Sequence, residues 1–221
     1  MVIGAKEAGS TRTLGFIRRE LIPAAQDPSR VRRYHFLIDE INRRHGHNAR
    51  ALLRLTDPVQ LRDFVGAEVK DLFGPCQARL EPTENRSPYT RLIETSLREN
   101  RLIYVPSRQA QAIYVSGRPW QKDGRELSIY EVNPREYGLD PDCLPEGPES
   151  IVVAPLVSGL GSRRPDAGYP RHGALVATKL VPRGFDPSVD LPILLIIAHD
   201  IGRVVGENQI SLLNGSITIK L

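Results

Sequence analysis

The chain has 221 residues, 40% of them apolar and 25% charged, with a net charge of +4. These are globular values and exclude a wholly disordered chain. No apolar run approaches the ~20 residues of a membrane span; residues 191–198 are too few and run on into His199, Asp200 and Arg203. The start of the chain lacks a long apolar stretch behind a basic one, so no secretory signal is expected. Two cysteines, Cys76 and Cys143, are too few for a disulfide framework and have no metal-ligand spacing. The expectation is a reduced, cytoplasmic protein without metal or cofactor. The charge is uneven: the first 60 residues hold eleven Lys/Arg against six Asp/Glu. A basic segment of this kind can face nucleic acid, an acidic partner or only solvent.

Residues 1–11 read as a loose tail. Residues 14–25 suit a short helix, with Phe16, Ile17, Leu21 and Ile22 on one side. Asp27-Pro28-Ser29 is a helix start. From there, residues 29–44 place Val31, Tyr34, His35, Leu37, Ile38 and Ile41 at helical spacing, with an Arg-rich opposite face. Thr56-Asp57-Pro58 caps a further helix over 59–73, striped by Leu61, Phe64, Val65, Val69, Leu72 and Phe73. It is expected to stop at Gly74-Pro75.

A strand over 76–81 follows, then a helix over 88–99 and a strand over 101–106. Two more strand candidates, 111–116 and 126–132, flank an Asp123-Gly124 turn and are read as a β-hairpin. Residues 133–148 are rich in Pro, Gly and Asp and read as loop or one helical turn. The run 150–157 (SIVVAPLV) is continuously apolar, as in a strand buried on both faces. Residues 158–171 are a surface loop, 172–180 a β-branched strand, and 186–208 a helix. Ile193, Leu194, Ile196, Ile197, Ile201, Val204 and Val205 make that helix apolar over a broad arc. This suggests a second subunit against it, or cover from the N-terminal helices. Residues 216–221 (SITIKL) alternate like an added edge strand.

The order of these elements and several local motifs resemble a GAF domain. Residues 151–156 (IVVAPL) resemble the family's penultimate strand, and 173–176 (GALV) its last strand. Phe185, Asp190, Leu194, Ala198 and Gly202 are similar to its closing pattern on the final helix. Residues 92–100 followed by 102–106 resemble its helix-then-strand segment ending in Val-Pro. The resemblance covers about residues 57–210. It implies an α+β (α/β sandwich) fold, a central antiparallel sheet with helices packed on it. Residues 1–56 would then be a helical N-terminal extension, and 57–221 a GAF-like domain with an insert at 107–149. The chain departs from the family in having room for only one strand after the first helix, where a hairpin is usual.

The resemblance also implies a pocket for a small ligand. Tyr104, Tyr114, Trp120, Tyr130 and Tyr137, in and beside the insert, are the expected lining, because an aromatic body with a polar tip stacks and hydrogen-bonds at once. Cross-strand packing would explain the same residues. A cyclic nucleotide is disfavoured: Phe185 and Asp190 overlap the family's signature for it, but the chain has no Asn-Lys pair. Neither cysteine sits in a chromophore-attachment motif.

Other chemistry is thinner. His45 and His47 have the wrong spacing for one helical face. His199-Asp200 reads as a buried or interface pair. Gly159, Gly161 and Gly168 form no phosphate loop. Arg163, Arg164 and Arg171 suit an anion, or solvent. The leading expectation is a non-enzymatic sensory or regulatory domain binding a small molecule or a protein partner, a homodimer through the helix 188–208. A thiol enzyme using Cys143 or Cys76 ranks second. A nucleic-acid-associated regulator using helix 29–44 ranks third.

Overall fold

The structure is a computed structural model and describes residues 32, 39, 57–83, 87–117, 129–139, 147–158, 170–210, 212 and 217–218. Arg32 and Asp39 are helical and exposed. The remainder of the expected N-terminal helices, Trp120, Cys143 and most of the 158–171 loop fall outside the described residues.

Helix α1, Pro58–Phe73, starts where a side chain can cap it. The Asp57 carboxylate accepts from the Val59 N–H at 2.8 Å, and Pro58 fills a position whose N–H has no helical partner. Gly74, at φ +70°, ends the helix. Strand β1 is Gln77–Glu81, so Cys76 lies just outside it. Helix α2, Thr90–Glu99, closes at Asn100, whose left-handed φ of 53° suits a C-terminal Asn. Strand β2 is Ile103–Val105. The expected hairpin is formed by β3, Ile113–Ser116, and β4, Ile129–Val132, in the register Ile113↔Val132 to Ser116↔Ile129. A 3-10 turn, Pro134–Tyr137, follows. Then come β5, Ser150–Val157, β6, Arg171–Lys179, helix α3, Asp190–Glu207, and a short β7, Ile217–Thr218.

Helix α3 begins four residues later than its sequence pattern predicts. Asp186-Pro187-Ser188 looks like a cap and first turn, but the Asp186 carboxylate accepts from both the backbone N–H and the hydroxyl of Ser188, closing a separate turn. Asp190, fully buried, then opens the helix, and its carboxylate accepts from the Asp186 N–H at 2.9 Å. An acid in a first helical turn also meets the positive end of the helix dipole.

The described strands form one sheet in the order β4-β3-β2-β5-β6-β1-β7, with every pairing antiparallel. With helices on both faces, this is an α+β fold. Strand alternation sorts the core into two layers. Ala78, Leu80, Tyr104, Val152, Ala154, Leu156, Leu175 and Ala177 point to the side of α1 and α3. Ile103, Val105, Ile113, Val115, Ile151, Val153, Ala174 and Val176 point to the side of α2. Strand β5 is buried along its whole length, which is why its sequence shows no alternation.

Helix α3 crosses the sheet at contact distance. A Cβ on Gly202 would lie 2.5 Å from both the N and O of Val157. The apolar arc expected to meet another subunit is largely consumed inside the chain: Ile193, Leu194, Ile196, Ile201, Val204 and Val205 are all buried. Ile197 and His199 keep partial exposure. Any contact with a second copy through this helix must use that narrower strip.

His199 offers a test of this packing. Burial lowers its pKa to about 4, against an opposing pull from Asp200. The folded value lies below the unfolded one, near 6.5, so the unfolded chain binds the extra proton first. Stability is therefore unaffected above about pH 6.5 and falls as the pH drops from there toward 4. Allowing for the exposed part of the ring, the loss is about 2 kcal/mol. Urea midpoints taken at pH 7.5 and 4.5 measure it, and His199→Gln is expected to remove most of the difference.

Candidate functional site

The helices concentrate their packing on β1, β5 and β6. Among the described residues, the helices pack less on the other half of the sheet, the β2-β3-β4 wing, and most of the expected aromatic residues lie there. They do not form one lining. Tyr104 and Tyr114 are register partners on β2 and β3 and stack at 5.8 Å between centroids. Both lie on the face of α1 and α3. Tyr130 pairs with Val115, and residues directly opposite share a face, so it belongs to the α2 side; it is 41% exposed. Tyr137, on the 3-10 turn, packs on that same side, and its hydroxyl accepts from Arg101 at 2.8 Å.

Behind the stacked pair the space is filled. Tyr104 is fully buried, and Phe185 meets it edge-on at 6.0 Å and Phe73 at 6.3 Å. The Phe185 N–H donates to the Tyr104 hydroxyl at 3.3 Å. Burial is the main reason the Tyr104 phenol is pushed up to about 12, only partly offset by that hydrogen bond. Lys179 places its Nζ 4.6 Å from the Phe185 centroid and donates to the Gly184 carbonyl at 2.8 Å. A cation over an aromatic face gains from the ring quadrupole. Ser150 Oγ, fully buried, finds no partner among the described residues.

Tyr114 is the accessible member. It is half-buried, and its hydroxyl donates to the carboxylate of Glu131, its register partner on β4. Burial first, then the Glu131 charge and this hydrogen bond, raise its pKa, while Arg183 acts in the opposite sense. Arg183 is exposed and held at φ 53°, its N–H donating to the Pro106 carbonyl. An aromatic face, a carboxylate and a guanidinium thus share one end of the wing. Together they can stack a planar group, accept from its N–H or O–H groups and donate to its acceptors.

The remaining chemical groups have structural surroundings. Cys76 is buried, and its thiol points to the Val69 carbonyl at 3.9 Å. Burial pushes its pKa up, against a lowering by Lys179, so it is held as the thiol and is a poor nucleophile. Asp200 pairs with Arg203 at 3.3 Å. Arg171 is exposed at the start of β6. His172 Nε2 and Ser158 Oγ lie 2.7 Å apart, joining the ends of the 158–171 loop, and burial lowers the His172 pKa. Gly206 of α3 makes room for this pair: a Cβ there would lie 2.6 Å from the Ser158 Cβ and 2.9 Å from His172 Nε2. No group of three or more metal-ligating side chains occurs among the described residues. No helix among them is long and apolar enough to cross a membrane.

The fully buried Glu81 and the half-buried Lys179 were not among the sequence candidates, and the fully buried Asp190 entered only through the resemblance. Lys179 and Glu81 are the last residues of β6 and β1. A charge at a strand end usually marks emergence into solvent, so the pattern gives no sign that Glu81 is fully buried.

No protein-family model matches the chain, and no curated protein matches it.

Proposed function

We propose that the chain is a non-enzymatic regulatory or sensory module of the GAF type, and that it binds a small, planar, polar molecule at Tyr114, Glu131 and Arg183. The observation that carries this reading is the stacked Tyr104–Tyr114 pair on the half of the sheet where the described helices pack least. Its inner ring is fixed in the core, and its outer ring is hydrogen-bonded to a carboxylate. Such a platform is preorganised, so little ordering cost falls on binding. The antiparallel sheet with helices on both faces supports the GAF type, as does Phe185 lying just before a last helix that opens at Asp190. So does β7, which occupies the β1 edge where the family's usual hairpin partner would pair. For the thiol-enzyme reading, Cys76 is buried with its pKa raised, and Cys143 lies outside the described residues.

Native mass spectrometry of the freshly purified full chain tests the proposal. A stoichiometric small molecule is expected on the wild type. Tyr114→Ala should weaken its binding about tenfold, the worth of one stacking contact, with the circular-dichroism spectrum unchanged. Glu131→Gln should weaken it similarly. An empty wild-type chain that gains no thermal stability from any member of a nucleoside, flavin and heterocyclic-acid panel would overturn the reading.

A further inference from the structure

Ser158 directly follows β5, and His172 is the second residue of β6. The two strands pair as far as Val157↔Arg171, so these side chains meet at the same end of the pair. Ser158 Oγ and His172 Nε2 lie 2.7 Å apart. That is the reach at which an imidazole takes a hydroxyl proton, the arrangement of a nucleophile and its base. In the tautomer protonated at Nδ1, Nε2 accepts from the Ser158 hydroxyl. Both residues keep partial exposure, so a reagent in solution can reach them.

The surroundings favour proton transfer. Burial lowers the His172 pKa below its ordinary value of 6.5, so the ring is neutral and able to act as a base at pH 7. Gly206, in the last turn of α3, stands against the pair. The C-terminal end of a helix carries the negative end of its dipole, which stabilises an imidazolium formed beside it. The same glycine lets the helix come this close. A Cβ there would lie 2.7 Å from Ser158 Oγ and 2.9 Å from His172 Nε2, so helix backbone walls one side of the pair.

We propose that Ser158 is a covalent acyl-acceptor site, with His172 as its base, and that its substrate class is the activated acyl ester. Ser158 Oγ forms a bond to the acyl carbonyl carbon while its proton passes to His172 Nε2. The bond from that carbon to the leaving oxygen breaks, and Nε2 returns the proton to the departing alcohol. O-acyl-Ser158 and a neutral His172 remain, and no oxidant or further reactant is needed. The acyl group then stays in place. The Ser158 N–H donates to the Pro170 carbonyl at 3.2 Å and is not free to stabilise an oxyanion, a role worth about 10²–10³ in rate. An activated ester, with a good leaving group, tolerates that lack better than the alkyl ester formed on serine. The site therefore marks the chain once instead of turning over substrate, which goes beyond the regulatory reading without depending on it. It is also remote from the aromatic platform: Arg183 is held at Pro106, beside the start of β5, and Ser158 follows that strand's end.

Treating the full chain with p-nitrophenyl acetate at pH 7 tests the proposal. Release of p-nitrophenolate is expected to show a burst of one equivalent per chain, with the acetyl group located on Ser158 by peptide mass spectrometry. Ser158→Ala should abolish the burst. His172→Gln should slow it about a hundredfold, with the circular-dichroism spectrum of both variants unchanged. Acetylation of lysines alone, with Ser158 unlabelled, would overturn the proposal. Labelling of Ser158 at the same rate in the wild type and in His172→Gln would overturn the role of the base and leave an ordinary serine.

Discussion

Gly173→Ala is expected to lower the stability of the fold by about 4 kcal/mol, read as a shift in the urea midpoint by circular dichroism. Two costs combine. Gly173 has φ +136°, a region that L side chains avoid at about 1–3 kcal/mol. An added Cβ would also overlap the carbonyl oxygen of Glu81 and come within 3.2 Å of the Pro82 Cα. Both neighbours are backbone, at the end of the adjoining β1 strand and just past it, and cannot swing away, so overpacking adds about 1–3 kcal/mol. Domains of this kind have about 5–15 kcal/mol in all. Gly74→Ala is the control. Its φ of +70° is also positive, but a Cβ there meets nothing within 4 Å. It should lose only about 1–2 kcal/mol. Equal losses from the two variants would show that close strand approach is not what requires glycine at 173.

Phe185→Ala is expected to cost about 3–5 kcal/mol, the range for emptying a large aromatic site in a core. Phe185 is 1% exposed and touches Phe73, Tyr104 and the Lys179 ammonium, joining α1, β2 and β6 to the start of α3. Removing the ring takes away the support behind Tyr104 as well as the cation's aromatic face. Phe185→Leu should lose less, because most of the volume is kept. The vacated space is bounded by the Phe73 and Tyr104 rings and the Lys179 ammonium, and benzene, an apolar ring whose face suits a cation, is a guest of matching size and chemistry. Benzene should therefore raise the melting temperature of Phe185→Ala and leave the wild type unmoved. A full loss of stability with no response to benzene would mean that the site collapses instead of staying open.

Much of the layered fold is written locally. The run at 150–157 declares a buried strand because all eight positions are apolar or small, and β5 has those bounds. Asp57-Pro58 and Gly74 fix both ends of α1 through capping chemistry that needs only neighbours. The start of α3 departs from its sequence pattern because Asp186-Pro187-Ser188 has the chemistry of a helix cap and uses it for a turn. Whether such a group opens a helix at once depends on Asp190, whose burial is decided by the packing of distant elements. The site was legible in composition but not in arrangement. Tyrosines on neighbouring strands suggest a shared lining, but which face each occupies is set by hairpin register. That register depends on a long connection from 117 to 128 whose residues specify no single offset. Phe185 and Tyr104 are far apart in sequence, and nothing near either announces their contact. The resemblance to a GAF domain rests on motif order, and no protein-family model matches the chain.

The pairing of β1 with β6 has a further consequence for how the chain is made. Leu80 lies opposite Leu175, so roughly ninety residues must leave the ribosome after β1 before its partner exists. At about 5–20 residues per second this is an interval of several seconds. During it, α1 is the one described element already synthesised that packs on β1, through Leu61, Val65, Val69 and Leu72. Helix α1 therefore acts first as a nascent chain's shelter for Ala78 and Leu80, and only later as one layer of the finished sandwich. Variants that weaken its apolar stripe should reduce the yield of folded protein during synthesis more than they reduce the stability of molecules that have already folded.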